Sequence, residues 1–132
     1  MTDVARYGYV ALAWLFLVGV VVQVFFIGLA LFAGRENLDL HVSLGWILHL
    51  APILVLGAAA LSRAGRPRIL MAAALTVVVL IVPILATLRE SSPVIAALHP
   101  VGATLAFGLA VVVARQSLDL LREAAPPAAA VA

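Results

Sequence analysis

The chain has 132 residues, of which 66% are hydrophobic and only 11% charged, and its mean hydropathy is +1.24. A soluble domain carries roughly a quarter charged residues and about half apolar ones, so a soluble globular protein, a disordered tail and a nucleic-acid module are all excluded. The absence of cysteine removes disulfides, thiolate metal sites, iron–sulfur ligation and a cysteine nucleophile. The pI near 9.9 comes from eight arginines and no lysine, most of them in short segments between apolar runs.

Four stretches contain no Asp, Glu, Lys or Arg: 7–33, 40–61, 69–88 and 93–114. A membrane span needs about 20 apolar residues. In hydrocarbon each segment must satisfy its own backbone amides, which makes these helices; the alternating period of a barrel strand is absent. The expected fold is all-α, an integral-membrane four-helix bundle in residues 1–114. A cytoplasmic tail follows at 115–132, polar to Glu123 and then a small-residue end expected to be disordered.

The connections are short. Gly34 ends the first span, and Asn37 or Asp39 is placed to cap the second. Residues 62–68 form a tight basic turn, and Ser92 with Pro93 opens the fourth span. Such connections force antiparallel neighbours, up-down-up-down. Arg6, Arg63, Arg66, Arg68, Arg115 and Arg122 fall on one side, Arg35 and Arg89 on the other. That asymmetry predicts a multi-pass membrane protein with both termini and the 62–68 turn in the cytoplasm. The first span is too long for a signal-peptide core and lacks a cleavage pattern, so it is read as retained. Pro52 and Pro83 sit inside spans and are expected to kink them, while scattered glycines let helices approach closely.

Few polar residues remain inside the spans: Gln23, His41, Ser43, His49, Thr76, Thr87, His99 and Thr104. No carboxylate or arginine lies at depth, which counts against an ion-coupled transporter. There is no nucleophile–histidine–acid set, phosphate loop or zinc-protease motif, so the expectation is a protein that is not an enzyme on its own. Any chemistry rests on the histidines. His41 and His99 both lie near the outer face, on the second and fourth spans, which run parallel across the bundle diagonal. His49 is about 12 Å deeper than His41 and turned by about 80°, so one metal cannot take both.

Gly45 follows His41 by four residues and Gly102 follows His99 by three, sharing each histidine's face and offering room for a flat porphyrin. The pattern points to a haem b held by His41 and His99 as axial ligands between the second and fourth helices, with His49 as the alternative ligand. Arg35 and Arg89 lie at the same end as candidate partners for propionates. Each feature also has a plainer reading. The histidines and Gln23 can serve as interhelical hydrogen-bonding residues, the arginines as interfacial anchors and the glycines as packing positions. The chain further reads as two copies of one hairpin, each with an outer Arg-Glu pair (Arg35-Glu36, Arg89-Glu90) before a histidine-bearing helix. The second copy is four residues longer between pair and histidine.

Three segments, 22–29 (VQVFFIGL), 40–46 (LHVSLGW) and 97–102 (ALHPVG), resemble a family of small actinobacterial-type four-helix membrane proteins to which no function is assigned. The resemblance runs to about Val113. More distantly the layout resembles one half-bundle of haem A synthase, which carries a histidine on its second and fourth helices. That resemblance implies axial roles for His41 and His99 and matches Gln23 with Gly28 to the glutamine–glycine pattern of the first helix. It departs in the third helix, where Thr76-Val77-Val78 stands in place of a repeated glutamine. The function expected is haem binding for electron transfer or haem handling, with the lipid bilayer and a quinone, a larger membrane complex or a second copy as partners and no nucleic acid. The competing expectation is a non-redox accessory subunit that packs through its Ala/Gly helix faces.

Overall fold

The computed structural model describes residues 2–124. It holds five helices, α1 (Thr2–Phe32), α2 (Leu38–Leu61), α3 (Arg66–Thr87), the single turn α4 (Pro93–Ala96) and α5 (Leu98–Ala124), with a 3-10 turn at Arg35–Asn37 between α1 and α2. The four long helices are each long and apolar enough to cross a membrane. Their boundaries follow the uncharged runs closely at three of the four.

The fourth run differs in two ways. Its start breaks at Ala97, so that α4 and α5 are separate elements. Its end does not stop near Ala114. The helix continues through the polar stretch to Ala124, with Ser117 and Leu120 buried. Arg68 at the start of α3 reaches Glu123 near the end of α5, with Nη2 donating to the carboxylate at 2.6 Å. The small-residue end expected to be disordered, from Ala125 on, lies outside the described residues.

The loops show why these residues terminate helices. At the end of α2 the Ala64 amide donates to Ala59 O and the Arg63 amide to Ala60 O, the Schellman pattern. Arg63 takes the left-handed position there, at φ 54°, and Ala64 tucks into the core. Gly34 has φ 136°, and a Cβ on it would collide with the Glu36 carboxylate, so glycine is required. Asn37 precedes α2 but turns its side chain back, Nδ2 donating to Gly34 O at 3.1 Å. Neither it nor Ser92 caps a helix through its side chain.

Around the bundle the order is α1, α2, α3, α5, with α1 against α5 closing the ring; α1 and α3 stand on one diagonal, α2 and α5 on the other. The buried core occupies the half nearer the termini: Tyr9, Ala13 and Phe16 of α1, Val55 and Ala59 of α2, Ala72 and Leu75 of α3, Ala110 and Val113 of α5. Alanine dominates it, as expected where lipid supplies no hydrophobic push and helices associate by close backbone approach. Pro52 is buried there, and Thr76 ties α3 to α2 with its hydroxyl between Ala72 O (2.8 Å) and Pro52 O (3.1 Å). The other half of the bundle is not filled.

Candidate functional site

The unfilled half is a cavity of about 680 Å³, within the range of small-molecule sites. All three histidines line it. So do Gln23, Val24 and Ile27 of α1, Gly45 and Leu48 of α2, Val79, Val82 and Pro83 of α3, and Ala103 and Phe107 of α5. Apart from Thr104, whose hydroxyl donates to Pro100 O at 2.9 Å, the walls are otherwise hydrocarbon, so the imidazoles and the Gln23 amide are the chemically distinctive groups.

Each histidine is fixed in the same way. His41 places Nδ1 3.1 Å from Gln23 O on α1. His99 places Nδ1 2.8 Å from Val82 O on α3, and His49 places Nδ1 3.2 Å from Val79 O. A carbonyl only accepts, so Nδ1 carries the proton and donates, and a neutral ring then presents Nε2 as a bare lone pair. No Nε2 hydrogen bond to the protein is formed among the described residues. This is the arrangement that prepares imidazole for a metal, with the second ring nitrogen anchored to set tautomer and orientation.

Across the α2–α5 diagonal the His41 and His99 ring centres are 6.4 Å apart, their planes at 74°. Two imidazoles in line on opposite sides of one metal, each nitrogen about 2 Å from it and about 1.2 Å from its own ring centre, would stand with centres roughly 6.4 Å apart. Among the described residues no group of three or more His, Cys, Asp or Glu is placed to hold a metal ion.

Gln23 locks the first histidine from two directions. Its carbonyl accepts from the His41 ring, and its Nε2 donates to the His41 carbonyl at 2.6 Å. That approach depends on Gly45, where a Cβ would stand 2.8 Å from Gln23 Nε2. The equivalent notch beside His99 is Gly102, where a Cβ would stand 2.8 Å from Val82 Cγ2. Both glycines therefore admit a neighbouring helix's side chain. That corrects the expectation that they leave room for a porphyrin; Gly45 still borders the cavity, whereas Gly102 does not line it. Gln23 Oε1 is buried without a partner among the described residues.

His49 answers a need created by Pro83. Proline has no N–H, so Val79 O loses its intrahelical donor, and the His49 ring supplies one. Sequence reasoning found both residues and missed the link, although a proline four residues after a buried valine was the available signal. Arg35 and Arg89 do not line the cavity. Both are exposed, and Arg89 lies 3.8 Å from the Glu90 carboxylate.

The two-copy reading gains a structural form. In the first hairpin a histidine of α2 donates to a carbonyl 18 residues back on α1; in the second a histidine of α5 donates 17 residues back on α3. The four extra residues of the second copy match the separate four-residue turn α4. Residues 23–88 match a family of unknown function, DUF6220. The match covers half of the chain, and the protein belongs to this family. It begins at Gln23 and includes His41 and His49, while His99 lies beyond it. No curated protein and no solved structure matches the chain, and the resemblance to haem A synthase has no support from these comparisons.

Proposed function

We propose that this member of DUF6220 is an integral protein of the bacterial inner membrane, with both termini in the cytoplasm, that binds haem b through His41 and His99. The observation that carries the reading is the histidine pair, with ring centres 6.4 Å apart, both Nδ1 atoms tied to carbonyls and neither Nε2 atom bonded to a partner among the described residues. Haem held by His41 and His99 would supply one-electron transfer. The protein's own residues do the rest. Gln23 and the Val82 carbonyl hold the rings against rotation, and Ile27, Val79 and Val82 keep water from the site. His49 is a structural donor in this reading and not a ligand. The accessory-subunit reading rests on exposed apolar faces, which lipid covers equally well.

The test is an absorption spectrum of the detergent-purified protein, oxidised and reduced, after expression with haem precursor. The expected result is a Soret band with sharp reduced α and β bands, lost in His41→Ala and His99→Ala and kept in His49→Ala. A folded protein that stays colourless after haem addition would sink the reading. Equal pigment loss in His49→Ala and His41→Ala would overturn the pairing.

A further inference from the structure

The cavity has a second tier and a doorway. Eight residues below His41 on α2 stands His49, and eight below His99 on α5 stands Phe107, each about 12 Å further along its helix. On α1 Phe16 lies seven residues, about 10 Å, below Gln23. All three line the cavity. Two phenylalanines and the His49 imidazole therefore line the deeper tier, with Trp46 packed edge-on against that imidazole at 5.6 Å between ring centres. The doorway is defined by exposure. The lining residues of α2 and α3 are all buried or half-buried, whereas Val21 and Val24 of α1 and Pro100, Thr104 and Phe107 of α5 are exposed. The cavity opens between α1 and α5, partway along both helices, onto the surface that faces hydrocarbon in a membrane-inserted bundle.

We infer that this deeper tier is a site for a lipid-soluble hydroquinone, reached sideways from the bilayer between α1 and α5, with one hydroquinone O–H donated to His49 Nε2. The chemistry selects this class. An opening into hydrocarbon admits only a molecule dissolved there. Phe16 and Phe107 give this tier aromatic walls that suit a flat aromatic head. Because His49 Nδ1–H is committed to Val79 O, its Nε2 only accepts. A hydroxyl satisfies it, and a carbonyl or an ether does not. The inference goes beyond the haem reading and uses different residues.

The test titrates decylhydroquinone and, separately, its dimethyl ether into haem-free protein in matched detergent micelles, read by calorimetry. The hydroquinone is expected to bind about tenfold or more tightly than the ether, the effect of one hydrogen bond with an otherwise unsatisfied partner. His49→Gln, whose amide can donate to Val79 O and still accept, should keep the preference. His49→Phe in a Pro83→Ala background, where the backbone N–H restored at position 83 supplies the Val79 carbonyl, should fold and lose it. Equal binding of both probes to the unmodified protein, binding of neither, or a preference that survives in the double variant would overturn the proposal. The titration contains no haem, so its failure leaves the spectral test untouched and failure of the spectrum leaves this site untouched.

Discussion

Gly45 is a notch one methyl deep in the surface of α2, and the Gln23 carboxamide fills it. A methyl placed there would stand 2.8 Å from Gln23 Nε2, pushing the amide off the His41 carbonyl and loosening the ring that the same residue holds. Gly45→Ala should therefore cost about 1 kcal/mol, the usual worth of an interhelical hydrogen bond in a membrane bundle, and lower pigment retention. Gly57→Ala on the same helix, with nothing within 4 Å of the added methyl, should be neutral. Thermal unfolding of the two variants in detergent separates these outcomes. The sequence linked His41 with Gly45, because spacing reveals which residues share a face, and singled out Gln23 separately as a polar residue inside the first span. It did not reveal that the amide occupies the glycine's space, since that depends on the register between two helices. His49 shows the same limit, its partner being a backbone carbonyl that no side-chain pattern encodes.

For whole elements the apolar runs were a good guide wherever lipid ends a helix, and a poor one wherever protein continues it. Arg115, Asp119, Arg122 and Glu123 correctly mark departure from an uncharged run, but charge does not stop a helix whose other face still has a partner. Val113, Ser117 and Leu120, at i, i+4 and i+7, are all buried in α5, and that stripe was readable in the sequence. Leu120, 6% exposed, should cost about 2–3 kcal/mol when cut to alanine, the loss expected of a packed helix and not of a tail. Glu123→Gln should cost at most about 1 kcal/mol, because the Arg68–Glu123 pair is partly exposed and solvent screens it. Chemical denaturation of both variants ranks them. The break at Ala97 was missed for a different reason: Pro93 and Pro100 both fit the first turn of a helix, and the sequence does not say that there are two first turns.

At the scale of the molecule the two hairpins divide the labour between their ends. The half bearing the termini is packed with alanine and carries the Arg68–Glu123 bridge, and the other half holds the cavity between histidines that face one another across the diagonal. The packed core and the cavity thus occupy opposite ends of the same four helices. Which end faces the cytoplasm decides where a ligand's polar edge emerges. Six arginines lie toward the packed end and two toward the cavity end, and the proposed orientation with both termini in the cytoplasm predicts a cavity near the outer face. Since the chain has no cysteine, one introduced at a time reports position cleanly. A membrane-impermeant maleimide added to intact cells should label Ser91→Cys and spare Arg66→Cys, and disrupting the membrane should expose both. The reverse pattern would put the histidine pair on the cytoplasmic side, and an electron carrier there would have to draw its partner from within the cell.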